Sequence, residues 1–342
     1  MKIKIIFLLA VFFVCFGFTA FSQNSRLRFG KLGVEDGLSQ ASIYAMIQDS
    51  HGYLWIGTND GLNRYDGYSI KVFKNDEFDS TSIAGNLVRD VYEDKDGNVW
   101  VATSDGLSKY NRETENFTTY RNNPDDPNSI AMNYIWSITQ DKTGKIWLGL
   151  NGVGADAFDP KTQKFEHFIY ESTNFKSIAG GNVRAIFEDS YGELWLGTES
   201  GLCIYNRKEN NFQRLNADLS KDTISDGISS NRIFCIFEDY KKRLWFGTQS
   251  GLNIYDRKEK LFKRFFSSDV AGSISSNIVT DIKEDKTGTI WVATSYGLNK
   301  FVESSQTFIT YLTSEEDNSL ASNHCTVLCV DNAGMLWIGS EL

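Results

Sequence analysis

The chain has 342 residues, of which 41% are hydrophobic, 14% aromatic and 23% charged, with 28 Gly against only 3 Pro. Such a mix belongs to a globular chain; it excludes low-complexity disorder and collagen, and aromatics crowded among so many glycines argue against a helical bundle. A formal charge of -9 with no basic stripe leaves no surface to neutralise phosphates, so nucleic acid is not an expected partner.

Residues 1–22 read as a secretory signal peptide. Lys2 and Lys4 supply the positive end, the run from Ile5 to Phe18 is apolar, and Ala20 and Ser22 offer a cleavage site. An uncleaved anchor is the alternative, and it needs Thr19 to Phe21 to lengthen a run that is short for a span of about 20 residues. Cys15 reads as an ordinary apolar-run residue, because Val14 precedes it where a lipoprotein signal wants a small side chain. Cleavage removes two lysines and takes the charge from -9 to -11. Export permits disulfides, yet Cys203, Cys235, Cys325 and Cys329 are too sparse for a disulfide scaffold. Cys325 and Cys329 lie about 13 Å apart on a predicted strand, beyond bridging distance, and the cysteines read as small core residues.

Residues 23–342 are organised by a repeat. Seven of the eight tryptophans, Trp55, Trp100, Trp147, Trp195, Trp245, Trp291 and Trp337, follow one another at spacings of 45, 47, 48, 50, 46 and 46 residues. Around each stands the same pattern: an apolar strand ending in Asp, a turn usually closed by Gly, an apolar-Trp-apolar-[GA]-T strand, then Gly-Leu and an aromatic. Each unit carries four strand signals, which the second copy exemplifies as a (Val88 to Glu93), b (Val99 to Thr103), c (Leu107 to Tyr110) and d (Phe117 to Tyr120). Asp94 to Gly97 suits a four-residue turn; Asp239 to Lys242 lacks the Gly, so that hairpin is expected to turn differently. Four strands per unit with an all-apolar strand b give the arithmetic of a β-propeller blade. Leucine-rich horseshoes need a shorter period and helical solenoids a 3.6-residue periodicity. The expected fold is all-β, a seven-bladed β-propeller of four-stranded blades whose seventh repeat is truncated after strand b. Leu27 to Leu32 is a candidate outer strand to close the ring, leaving a ragged seam.

The copies Asn86 to Asp94, Gly97 to Thr103 and Gly106 to Tyr110 resemble the two-component regulator propeller repeat. Val34 to Ser39, followed by Trp55 to Gly67, looks like the usual first blade of that family, and the resemblance extends over residues 27 to 340. It implies the N-terminal periplasmic sensor part of a hybrid histidine kinase, one that senses oligosaccharides and works as a dimer. It also implies a chain truncated before the membrane helix and kinase, attached to the membrane only through those missing segments or an uncleaved signal. His51, His167 and His324 stand in no phosphoacceptor setting, so kinase activity does not carry over.

In propellers strand a lines the central channel, and the loops into a and from b to c share one face. The position five before each repeat Asp holds Tyr44, Arg89, Trp136, Arg184, Phe234, Thr280 and Thr326, whereas two residues later every copy is apolar. The first set is a candidate ligand ring, with aromatic faces for sugars and guanidinium forks for acidic or hydroxyl groups. Trp136, the one tryptophan outside the motif, is its sharpest member; the competing reading is packing between blades. Asn59, Asp60, Ser104, Asp105, Glu199, Gln249, Ser295 and Tyr296 in the b-to-c loops are rim candidates, or ordinary solvated turns. Gly149 to Asp156 in the third copy lacks the Thr and gains a residue, either admitting ligand close to backbone or forming a neutral bulge.

Glu93-Asp94, Glu188-Asp189, Glu238-Asp239 and Glu284-Asp285 recur at one repeat position, which suits strand-end structure rather than a catalytic pair needed once. Neither a metal nor a cofactor is implied, for His and Cys do not cluster. The weaker alternatives to a sensor are a propeller polysaccharide lyase and a non-catalytic dimerisation or interaction propeller.

Overall fold

The computed structural model describes residues 27–220, 222–316 and 318–341. The expected signal peptide and its cleavage site lie outside the described residues. Seven sheets form a ring, each an antiparallel meander whose strands follow chain order from the channel outward, apart from one additional outer strand in the fifth. The innermost strands are Ile43–Gln48, Val88–Glu93, Ile135–Gln140, Val183–Glu188, Ile233–Glu238, Val279–Glu284 and Cys325–Val330.

Six sheets have four or more strands, and the seventh is a two-stranded hairpin of Cys325–Val330 and Leu336–Ser340. The expected seven-bladed ring with an incomplete last blade is corrected to six blades of four or more strands, with a hairpin of two strands in the seventh place. The fifth blade carries an additional outer strand, Ile224–Ser225, on its Leu261–Phe265 edge. Leu27 to Leu32 forms no strand. Gly30 interrupts it, and it reaches the seam with one backbone bond, from the Phe29 amide to the Asn318 carbonyl at 3.4 Å. Otherwise it covers the seam with side chains: Phe29 meets Tyr311 edge-on and Leu32 packs near Cys329 and Trp337.

The repeat motif is explained by one bond set. In all seven copies the Trp indole N–H donates to Oδ2 of the repeat Asp at 2.7–3.0 Å. The other carboxylate oxygen accepts amides of the turn, as Asp94 Oδ1 does from Asp96 and Asn98. A buried indole N–H and a buried carboxylate thereby satisfy each other while fixing the a-to-b hairpin. The Gly after Trp-apolar lets the next blade approach: a Cβ on Gly57 would stand 2.5 Å from Val88, and one on Gly197 2.6 Å from Ile233. The following Thr donates to the Gly carbonyl three residues on, as in Thr58 to Gly61 at 2.9 Å, and accepts the Asp60 amide.

The Glu that precedes the Asp is a staple between blades. Glu93 accepts the Ser50 amide and hydroxyl, Glu238 the Ser190 amide and Glu284 the Tyr240 amide, each from the turn of the preceding blade. Gln48 accepts the Asn332 amide at 2.6 Å and so ties the seventh unit to the first. The four cysteines among the described residues are buried and unbridged.

Candidate functional site

The channel is lined by the strands a, and one irregularity repeats in all seven. The a–b pairing skips a residue near the start of strand a: Ile43 faces Thr58 and Ala45 faces Gly57, so Tyr44 has no cross-strand partner. Arg89, Trp136, Arg184, Phe234, Thr280 and Thr326 are skipped in the same way. A β-bulge frees its extra residue from the ladder and re-aims its side chain. These seven positions tolerate Tyr, Arg, Trp, Phe and Thr because the ladder does not use them. All seven line one cavity of about 1040 Å3 that runs through the ring.

At the channel mouth the side chains alternate cation and ring. The Arg89 guanidinium lies 4.6 Å from the Tyr44 ring centre and 4.3 Å from that of Trp136. Arg184 lies 4.0 Å from Trp136 and 5.7 Å from Phe234, and Arg232 continues the series at 5.6 Å from Phe234. Trp136 is held in place: its indole N–H donates to Asn151 Oδ1 at 3.1 Å and its ring meets Tyr134 at 4.8 Å. Burial depresses the Arg89 and Arg184 pKa values, and at Arg184 repulsion from Arg232 and Arg89 adds to the effect. The Nε atoms of Arg89, Arg184 and Arg232 are buried and without a hydrogen-bond partner.

Deeper in the channel stand Asp90, Asp281 and Lys283. Burial pushes the Asp90 carboxyl up to about 7, although the Val91 and Ile138 amides donate to it at 2.9 and 2.8 Å. Asp281 accepts the Ile282 and Leu328 amides, and its carboxylate, 3.7 Å from the Lys283 ammonium, raises the lysine pKa.

The structure thus brings Tyr44, Arg89, Trp136, Arg184 and Phe234 together, and it adds Arg232, Tyr134, Asn151, Asp90, Asp281 and Lys283. Arg232 and Tyr134 share a repeat position two residues before the bulge. Asp90 and Asp281 share the position just after it, where other copies have Ala45, Ser137, Ala185, Cys235 and Val327. An acid among small residues was the available signal. Asn59, Asp60, Asp105 and Tyr296 do not line the cavity. Asp60 is paired with Lys74 at 2.5 Å, and the amides of Asp105 and Tyr296 are fixed by Thr103 and Thr294. Ser104, Glu199, Gln249 and Ser295 are pinned to the mouth by backbone bonds to residues leading into strand a. In the third blade the glycine segment becomes a turn held by Gly152 N–H to Asn182 and Gly154 N–H to the Gly181 carbonyl, and it presents Asn151 to Trp136. Asp49, His51 and Glu93 bring ligand-type atoms within 4.8 Å of one another. Asp49 is already held by Trp55 and Arg112, and Glu93 by Ser50 and Arg112, so this cluster is a staple between blades.

Six stretches, residues 37–60, 82–105, 129–152, 177–200, 227–250 and 273–296, match the two component regulator propeller repeat. Each ends in the loop after strand b, so the match spans the bulge, the Asp–Trp bond and the Gly contact. The chain carries two-component regulator propeller repeats. A stretch of 74 residues, 21% of this chain, is 46% identical to histidine kinase P4 of Formosa agariphila and covers 5% of that protein. Among solved structures, the extracellular domain of the hybrid two component system BT3049 from B. thetaiotaomicron superposes with a TM-score of 0.78 at 26% identity. That superposition covers 92% of this chain and 40% of the other. Virginiamycin B lyase from Staphylococcus aureus, in a catalytically inactive form with quinupristin, shares the fold with a TM-score of 0.63 at 13% identity. It covers 89% of this chain and 94% of the lyase. This regulator propeller therefore spans well under two thirds of the receptor proteins it matches. In the solved structure the aligned part lies within the extracellular domain. No helix among the described residues is long and apolar enough to cross a membrane.

Proposed function

We propose that this propeller is the periplasmic ligand-sensing part of a hybrid two-component receptor, and that its ligand is an oligosaccharide seated at the mouth of the central channel. The observation that supports it is the ring of bulge residues: seven side chains with no role in the ladder converge on one cavity of about 1040 Å3. A cavity of this size accommodates a ligand of several sugar units. Trp136 forms its centre, and Asn59, Asp60, Asp105 and Tyr296 stand as an outer rim that a longer ligand would reach. The signal would pass to a kinase elsewhere in the receptor, working as a dimer.

A thermal-shift screen of oligosaccharides tests this directly. A ligand at 100 times its dissociation constant stabilises the folded state by roughly 2.7 kcal/mol. One glycan class is expected to raise the melting temperature without being cleaved, and Trp136→Ala to abolish that rise in a folded protein. Melting unchanged across a broad panel, beside concentration-dependent dimerisation, would make this an interaction propeller instead.

A further inference from the structure

The arginines of the channel mouth differ from those elsewhere in the blades. Arg112 pairs with Asp49 and Glu93, Arg207 with Asp141 and Glu188, Arg243 with Asp239 and Glu303, and Arg257 with Asp189 and Glu193. Arg64 pairs with Glu115 and Arg264 with Asp218, while Arg214 donates to the carbonyls of Ser177, Asn174 and Ile178. In a chain with 44 acidic and 35 basic residues such pairing is easily found. Arg89, Arg184 and Arg232 nevertheless have none: among the described residues their side chains make neither an ion pair nor a hydrogen bond. Three carboxylates act on these arginines without forming an ion pair with them: Glu341, which pairs with His324 at 3.1 Å, and Asp90, held by two backbone amides, act on Arg89, and Glu199 acts on Arg184.

We propose that Arg89, Arg184 and Arg232 form an anion site at the channel mouth, which takes an oligosaccharide bearing carboxylate or sulfate groups. That the anion is a saccharide rests on the function proposed above; the anion preference itself does not. Three geometric features carry it. The stack Tyr44–Arg89–Trp136–Arg184–Phe234–Arg232 holds three like charges side by side on ring faces, which offset their repulsion without neutralising them. A guanidinium lying over a ring keeps its N–H donors in its own plane, pre-formed to fork onto a planar carboxylate or a sulfate. All three Nε donors are buried without an acceptor, as are those of Arg207 and Arg257, but at the mouth no ion pair engages the other guanidinium donors either, and an acidic oxygen would satisfy them. The same stack disfavours a neutral sugar that binds by ring stacking, because Tyr44, Trp136 and Phe234 each already carry a guanidinium.

Calorimetry on the purified protein tests the site with four probes: a galacturonic acid tetramer, a sulfated disaccharide, a neutral glucose tetramer and a short poly-glutamate peptide. At least one acidic saccharide is expected to bind about tenfold or more tightly than the neutral one, and to weaken as salt rises. The two acidic probes separate carboxylate from sulfate recognition. Arg184→Gln and Arg89→Gln are each expected to lower that affinity about tenfold. They should leave the melting temperature of the free protein unchanged or higher, since each removes an uncompensated charge. Lys258→Gln, on the outer edge at 90% side-chain exposure, controls for net charge. Equal binding of the neutral tetramer, or affinity unmoved by the arginine variants, overturns the anion site while leaving an oligosaccharide sensor standing. Poly-glutamate binding alone overturns the saccharide assignment and with it the function proposed above. Absence of binding by all four probes overturns the anion site.

Discussion

Asp156, fully buried in the third blade, occupies the place where neighbouring blades carry Asn63, Ser108, Cys203, Asn253 and Asn299. Each of these accepts an amide from the loop leading into its own blade or its own unit, Asp156 from Ala131 at 2.8 Å. A carboxylate there needs a further donor, and His167 supplies it from the adjacent strand, Nδ1 to Oδ1 at 2.7 Å, with Nε2 on the Pro127 carbonyl. The hydrogen bond to Asp156 lifts the His167 pKa to about 9, against an ordinary value of 6.5. A histidine whose folded-state pKa is raised stabilises fully below about pH 6.5 and loses that contribution as pH climbs through about 9. Allowing for its partial exposure, the contribution is on the order of 2–3 kcal/mol. Denaturant melts of wild type and His167→Gln are therefore expected to differ most at pH 6 and to converge by about pH 9.5. A gap that stays constant over that window would show that the pair does not titrate there. Sequence places His167 on an outer strand correctly, but its partner lies across the sheet and only the strand register reveals it.

At the scale of the element, the a-to-b hairpin is more uniform than its sequences. Lys242 stands where other copies have Gly, which predicts a different turn. It turns the same way: Lys242 N–H donates to the Asp239 carbonyl at 2.8 Å, as Gly97 does to Asp94 at 2.9 Å, with Lys242 at φ 64. The Asp239–Trp245 bond and the packing of the flanking strands impose the left-handed conformation on a residue that disfavours it. Lys242→Gly is expected to stabilise by about 0.5–1 kcal/mol, the strain relieved less the entropy Gly adds to the unfolded chain. Chemical denaturation reads this directly, and a destabilised variant would mean that Lys242 makes a compensating contact. The start of strand a carries the complementary lesson. The variability at Tyr44, Arg89 and Trp136 is visible in the aligned repeats, whereas its cause, a bulge present in every blade, belongs to the pairing register.

At the scale of the whole molecule, the seam is where the ring is least complete. Leu336, Trp337 and Ile338 are only partly buried, while the matching residues of the other six blades are buried throughout. The outer edge of Leu336–Ser340 has no partner strand among the described residues, and Trp337 reaches an aromatic of the first blade, Tyr65, at 6.1 Å. A version extended by a strand with the sequence of Gly297 to Val302 is expected to melt higher. Each 100 Å2 of apolar surface newly covered is worth about 2.5 kcal/mol. Equal melting temperatures for the two chains would mean that the Phe29 and Leu32 side chains already seal this edge.

The sequence by itself determined the repeat, the propeller, the recurring Asp and Trp of each unit and the five variable strand-a residues proposed for a ligand, because these obey a local period that spacing alone exposes. Tertiary structure decided the Asp–Trp bonds, the stacking of three arginines between the rings, and the acids and lysine inside the channel. The last two depend on which residues from different blades meet across the ring, and contacts between positions some 50 residues apart leave no periodic trace in the chain.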